Sequence, residues 1–195
     1  MVVKQLTLGA MASNCYIARK NNQVIIIDPG DMPKTIIENI KQSEKVLGVL
    51  LTHGHFDHIQ ALDAVVEKYQ CPVFISEQEK DLINNPRLSF YDGVINSKLT
   101  YINDNFKLGD FEIKVHHTPG HTKGSVMYQI EDHLFTGDTL FDSSIGRVDF
   151  PTGDINEMQK SLDYIKTLDP DLFVYPGHNR ITTLKRQLAI NPYLK

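Results

Sequence analysis

Residues 46–58 read Val46-Leu47-Gly48-Val49-Leu50-Leu51-Thr52-His53-Gly54-His55-Phe56-Asp57-His58. Val46–Leu51 is apolar without alternation, the pattern of a strand covered on both faces. The polar half sets three histidines and an aspartate directly after that strand, where α/β proteins place their sites. Upstream, Val2–Leu8, Cys15–Arg19 and Val24–Ile27 read as three β-runs. Asp28-Pro29-Gly30-Asp31 breaks the chain sharply, and Ile36, Ile37 and Ile40 have helical spacing within Lys34–Ile40.

Downstream, Ile59–Tyr69 has the apolar spacing of an amphipathic helix, and Val73–Ile75 that of a short strand. Ser76 with Glu79 predicts a capping box for the helix that follows. Asn84–Lys98 is polar and loop-like. Strand patterns return at Leu99–Ile102, Phe111–His117, Ser125–Ile130 and His133–Thr136, with a hairpin turn at Glu131-Asp132. Gly137–Gly153 is a long connection, Asp154 with Glu157 caps a helix to about Leu168, Leu172–Tyr175 is a last buried strand, and a short helix spans about Thr182–Ala189. The order of elements predicts two similar α/β halves, each a mostly antiparallel sheet backed by helices. No composition shift divides the chain, so residues 1–195 read as one domain.

The chain has 195 residues, 41% hydrophobic and 23% charged, with net charge −4. Size scaling predicts a folded surface of roughly 9,000–10,000 Å², so a core forms without staples. Disorder, collagen-like repeats and a transmembrane span are excluded by apolar fraction, aperiodic glycine and strand-sized apolar runs. No charged segment followed by an apolar one opens the chain, which predicts no secretory signal. Mixed charge argues against a nucleic-acid or membrane partner. Cys15 and Cys71 make no disulfide scaffold and read as buried inert thiols in a reducing cytoplasm.

Three further strand ends carry metal-ligand residue types: Pro119-Gly120-His121, Gly137-Asp138 and Gly177-His178. With His53, His55, Asp57 and His58 they supply seven candidate ligands, too many for one tetrahedral ion. Seven fits two ions sharing one carboxylate, with a water between them. His116 and His117 are neighbours on a strand, point to opposite faces, and read as structural; His133 reads as an exposed hairpin residue.

This constellation resembles the metallo-β-lactamase superfamily, and within it the glyoxalase II-like hydrolases. The matching residues are Thr52–His58, Thr118–Thr122, Thr136–Phe141, Ile145–Arg147 and Pro176–His178. The resemblance implies a four-layer αββα sandwich with the metals at one edge. It implies one ion on His53, His55 and His121, a second on Asp57, His58 and His178, and Asp138 bridging. Zinc is the leading metal, with iron and manganese also suited. It implies hydrolysis of a small thioester by a metal-bridging hydroxide, with Asp57 and Asp138 as the catalytic side chains and no side-chain nucleophile. Asp28 would support the ligand loop. Arg147, Lys123 and Arg180 are the candidate substrate contacts.

Several departures from family patterns sort the neighbouring activities. The C-terminal helical region of longer glyoxalase II enzymes is not in this chain, which leaves glutathione in question as the carrier. Asn179-Arg180 follows His178 where many relatives have glycine. His58 argues against class B β-lactamases, which usually lack it. Flavodiiron proteins have Glu in place of His55 and a flavin domain, and RNA-processing nucleases have extra arms. Gly146-Arg147-Val148-Asp149-Phe150 resembles a pattern of persulfide dioxygenases, whose single iron would sit on His53, His121 and Asp138. A different ester, lactone or phosphodiester hydrolase, or a non-catalytic metal-binding protein, completes the alternatives.

Overall fold

The computed structural model describes all 195 residues and places two six-stranded sheets face to face between helices. The first sheet contains β1 (Val2–Leu8), β2 (Ser13–Lys20), β3 (Gln23–Ile27), β4 (Lys45–Leu51), β5 (Val73–Ser76) and β6 (Leu99–Ile102), side by side in chain order. The β1–β2 and β2–β3 pairs are antiparallel, whereas β3–β4, β4–β5 and β5–β6 are parallel. This corrects the expectation of two mostly antiparallel sheets. Parallel neighbours need a crossover, and here each crossover carries helix: α1 (Pro33–Glu38), then α2 (Phe56–Ile59) with α3 (Leu62–Tyr69), then α4 (Lys80–Ile83) with α5 (Pro86–Ser89).

The second sheet is mostly antiparallel. It is built from β7 (Phe106–Leu108), β8 (Phe111–His117), β9 (Val126–Ile130) and β10 (His133–Gly137). After a small hairpin of β11 (Leu140–Phe141) and β12 (Ser144–Ile145), helix α6 (Ile155–Ile165) crosses over to β13 (Phe173–Pro176), parallel to β10. The strand β14 (Thr182–Thr183) and helix α7 (Leu184–Ile190) close the chain, and the sheet order is β14-β13-β10-β9-β8-β7.

Three apolar layers hold the sandwich together. Ile17, Ile26, Val49 and Leu51 face the helices of the first half with Ile36, Leu62 and Val65. Their strand neighbours Tyr16, Ile25, Ile27 and Leu50 face the opposite way and meet Phe111, Val126, Tyr128 and Phe135 between the sheets. Met127, Leu134 and Val174 pack on Met158, Leu162, Ile165 and Leu184 behind the second sheet. Successive strand residues therefore enter different cores, which is why β3 and β4 show no polar alternation. The folded surface of 9,081 Å² matches the size expectation. No helix is long and apolar enough to cross a membrane.

Several local expectations are corrected. The helix expected over Ile59–Tyr69 is two helices, because the Ala61 N–H bonds the Pro29 carbonyl at 3.0 Å and a new helix starts at Leu62. Ser76 caps a 3₁₀ turn by accepting from the Gln78 N–H, and Glu79 turns into the interior instead of completing a capping box. The loop expected over Asn84–Lys98 contains α5, and the connection Gly137–Gly153 contains the β11–β12 hairpin. β7 had no sequence signal beyond its short apolar–Lys–apolar pattern. His133 is buried, stacked 5.3 Å from the Tyr175 ring, because β13 lies beside β10 and covers it. The turn at Glu131-Asp132 forms, with Glu131 taking the positive φ of 56° that glycine usually supplies.

Candidate metal centre

The ends of β4, β8, β10 and β13 bring the seven candidate ligands to one edge of the sandwich. Ligand atoms lie within 4.8 Å of one another in three groups: His53, His55 and His121; Asp57, His58 and His178; and His53, His58 and Asp138. The first two groups are the trios that the resemblance implies. The third joins Asp138 to one member of each. Asp138 Oδ1 lies 3.3 Å from His58 Nε2, and its Oδ2 lies 3.6 Å from His121 Nε2 and 3.5 Å from His178 Nε2.

One carboxylate sets the orientation of two rings. Asp28 accepts from the Thr52 N–H at 2.8 Å, from Thr52 Oγ1 at 2.6 Å and from His58 Nδ1 at 3.0 Å. Because the Thr52 hydroxyl proton goes to Asp28, its oxygen receives the Nδ1–H of His53 at 3.1 Å. His53 and His58 are thereby held as tautomers with Nε2 free to bind a cation. His121 is fixed the same way, its Nδ1 donating to the Arg147 carbonyl at 2.7 Å.

The buried atoms without hydrogen-bond partners include His53 Nε2, His55 Nε2, His58 Nε2 and Asp138 Oδ1, all in this cluster. A native fold leaves only a few such atoms per hundred residues, and here four of five crowd into one site, the fifth being His133 Nδ1. Burial and neighbouring imidazoles hold His53 well below the usual histidine range and take His55 down to about 3, so both are neutral donors. Burial opposes charge on His58 and His178 too, but Asp138 and Asp57 outweigh it: His58 is held well above its ordinary value and His178 rises to about 9. In turn His58 and His178 keep Asp57 and Asp138 below the usual carboxylate range despite burial. The carboxylates thus demand positive charge, and divalent cations on these nitrogens would answer that demand. Five imidazoles and two carboxylates suit zinc, iron or manganese.

Sequence reasoning missed the residues that tie the ligand loops to each other. Glu79 is fully buried and accepts from the Gly54 N–H at 2.8 Å, the Gly124 N–H at 2.8 Å and Thr122 Oγ1 at 2.7 Å. It clamps the His53–His58 loop to the His121 loop. Asn14 Nδ2 donates to the carbonyls of Pro176 and Asn179, and the Tyr16 hydroxyl donates to Pro176, so β2 holds the His178 loop. A polar Asn inside an apolar strand was the one available signal. Asn179 adopts φ +69°, the region that glycine enters freely, which accounts for the Asn found there.

Glu79→Ala removes both accepting oxygens and orphans the Gly54 and Gly124 N–H groups, each worth about 1–3 kcal/mol when buried unpaired, while Thr122 Oγ1 can still bond Ser125 Oγ at 2.7 Å. We expect metal affinity to fall by about 10–100-fold, as for other supports of ligand residues, with Glu79→Gln losing less because its carbonyl still accepts. Competition against a chelator measures both variants.

A cleft of about 230 Å³ opens over the cluster and is lined by His55, Asp57, His121, Asp138 and His178 together with Arg147 and apolar side chains. Lys123 lines a separate cavity of about 560 Å³ behind the His121 loop, and Arg180 pairs with Asp142 away from the cleft. His116 bonds Tyr164 and Gln129, and His117 bonds the Asn103 carbonyl, so neither joins the cluster. Cys15 and Cys71 are buried and unpaired, the Cys15 thiol pushed up by burial.

Residues 8–178 match the family model described as the metallo-beta-lactamase superfamily. Among curated proteins, one from Aquifex aeolicus named only as an uncharacterized protein is 36% identical, covering 99% of this chain and 97% of its own. A Bacillus subtilis protein named as a probable metallo-hydrolase, YqgX, is 32% identical over 98% of this chain and 96% of its own. Among solved structures, the BLEG-1 B3 metallo-beta-lactamase superposes with a TM-score of 0.89 at 32% identity, covering all of both chains. TTHA1623 in a di-iron-bound form superposes with a TM-score of 0.86 at 30% identity, covering 98% of this chain and all of the other.

Proposed function

The chain belongs to the metallo-beta-lactamase superfamily and is a metal-dependent hydrolase, and we propose that it cleaves a small thioester with two divalent ions held by the seven-residue cluster. The observation that carries this reading is the convergence of orphaned buried ligand atoms from His53, His58 and Asp138 with His55 Nδ1 and His121 Nε2, themselves 2.9 Å apart, directly beneath an open cleft. In this reading His53, His55 and His121 would hold one ion, Asp57, His58 and His178 would hold the other, and Asp138 would serve both. The di-iron form of TTHA1623 puts iron beside zinc as the metal to test first. Bound there, the ions supply Lewis acidity and activate water near neutral pH.

The chain's own residues do the positioning. The Asp57 carboxylate lines the cleft 3.2 Å from His178 Nε2, where it would accept a hydrogen bond from the attacking water and orient it. Asp28, through Thr52 and His58, keeps the ligand rings in their binding tautomers. Outside the cluster the cleft offers no lysine, tyrosine or histidine to protonate a departing group. A thiolate needs none, because thiols ionise near pH 8.5, whereas an amine does. The small cleft fits a small substrate.

The Gly146–Phe150 segment favours a second reading, a persulfide dioxygenase with one iron on His53, His121 and Asp138, since Arg147 and Phe150 of that segment line the cleft. It leaves His58 and His178 without a task. The 32% identity to a chain named as a B3 metallo-beta-lactamase adds a β-lactam to the substrates to test.

Elemental analysis of the purified protein, with anaerobic thioester, aerobic persulfide and β-lactam assays, separates these. We expect about two ions per chain, and thioester hydrolysis without oxygen. A fully active preparation with one ion, or oxygen consumption on persulfide with silent thioester assays, overturns the proposal. Stripping the ions lowers the melting temperature, by linkage worth about 4 kcal/mol where the metal stands at roughly 1,000 times its Kd; calorimetry with and without chelator measures this.

A further inference from the structure

The cleft over the metal centre has an apolar wall whose construction goes against ordinary backbone preference. Phe90 follows α5 with φ +58°, a region that bulky residues rarely adopt, and the residue stays 41% exposed. That conformation sets the ring 5.6 Å from the His55 ring and 5.2 Å, edge to face, from Phe150. Phe150 in turn lies 5.6 Å from His55 and 6.1 Å from His121. Met11, Phe56, Phe141 and Ile145 complete the wall, with Met11 53% exposed.

Arg147 is the single lysine or arginine lining this cleft, and it is already engaged. Its Nε and Nη2 donate to both oxygens of Asp149 at 2.9 and 2.8 Å, and its guanidinium lies 4.3 Å over the Phe150 ring. That arrangement satisfies its charge and its flat face together. Arg147 therefore buttresses the wall, and a carboxylate on the substrate would have to compete with Asp149 for the cleft's single cation, whose side chain is 65% exposed.

We propose that Phe90 and Phe150 are specificity-determining residues that bind an uncharged alkyl or aryl group beside the scissile bond, so that the preferred thioester has a neutral carrier and an apolar chain. This rests on the thioester reading. A peptidic carrier with free carboxylates, such as glutathione, gains less from Arg147 because it must compete with Asp149.

The test measures binding and turnover on the metal-loaded full chain. Calorimetry compares three non-hydrolysable thioethers: S-methyl-N-acetylcysteamine, S-hexyl-N-acetylcysteamine and S-hexylglutathione. Each buried methylene is worth roughly a factor of four in affinity, so we expect the hexyl probe to bind at least about tenfold tighter than the methyl probe even with partial burial. S-hexylglutathione binds no tighter than the hexyl cysteamine probe. Phe90→Gly relieves the left-handed backbone, so it keeps or raises thermal stability while losing most of the hexyl gain, with metal content unchanged. Phe150→Ala also loses that gain. Asp149→Asn frees Arg147 and tightens S-hexylglutathione several-fold. Equal binding of methyl and hexyl probes, or glutathione binding at least about tenfold tighter in the unmodified chain, overturns the inference. If acetyl and hexanoyl thioesters are hydrolysed alike and the probes show no chain-length gain, this inference fails and the thioester reading stands. If no thioester is hydrolysed yet the hexyl gain persists and vanishes in Phe90→Gly, the thioester reading fails and the apolar subsite stands.

Discussion

His58→Ala and His178→Ala are each expected to lower thioester turnover by about 10²–10³-fold, the usual loss when one preorganised electrostatic element is removed. Both residues belong to the second proposed ion alone. His178 Nε2 sits 3.2 Å from Asp57 and 3.5 Å from Asp138, and His58 is gripped by Asp28 behind and Asp138 in front. Removing either ring leaves two carboxylates facing each other with less to neutralise them, so the second ion is lost and Asp57 loses its orientation. The fold survives, because the three apolar layers lie in the sheets and helices, not in the ligand loops. Metal analysis, circular dichroism and kcat on the same preparations check this. Near-normal turnover with one ion bound would show that the second ion takes no part in the chemistry, and the binuclear mechanism would fall.

Gly177→Ala is expected to be at least as damaging although it adds a single methyl group. A Cβ there would stand 2.1 Å from Asp138 Oδ1 and 2.8 Å from His58 Cε1. The backbone cannot retreat, because the Gly177 N–H bonds the Gly137 carbonyl and the Gly177 carbonyl accepts from the Asn14 N–H, both at 2.7 Å. Asp138 must therefore swing out of the position from which it faces His58, His121 and His178. We expect less than about one ion per chain and turnover at or below that of the histidine variants, with secondary structure retained. A Gly177→Ala protein with full metal content and ordinary turnover would show that Asp138 need not occupy the place described for it.

Much of this molecule is legible in consecutive residues. Unbroken apolar runs at Val24–Ile27 and Val46–Leu51 require a sheet covered on both faces, and the αββα sandwich meets that requirement. The candidate ligands are legible because histidine and aspartate recur directly after strands, a pattern of residue type and position. Periodicity, strand ends and turn residues are local properties, so a linear reading reaches them. Parallel pairing in the first sheet escaped that reading, since the same apolar strand suits either direction and only the helical crossovers decide it.

What the tertiary structure alone decides is which distant polar groups meet. Glu79 satisfies a capping pattern in the sequence, yet it reaches Thr122, 43 residues away, because β5 ends beneath the His121 loop. Asn14 meets Pro176 across 162 residues. Arg147 reads as an unpaired cation near the site until Asp149 is seen to hold two of its three nitrogens. Hydrogen bonds and ion pairs depend on the final few ångströms of approach between elements, and the stacking of the two sheets sets that approach. The sequence alone determined the layers and the residue types at their edge; the packing of those layers determined which side chains hold the ligands, which close the cleft, and which charge is left free.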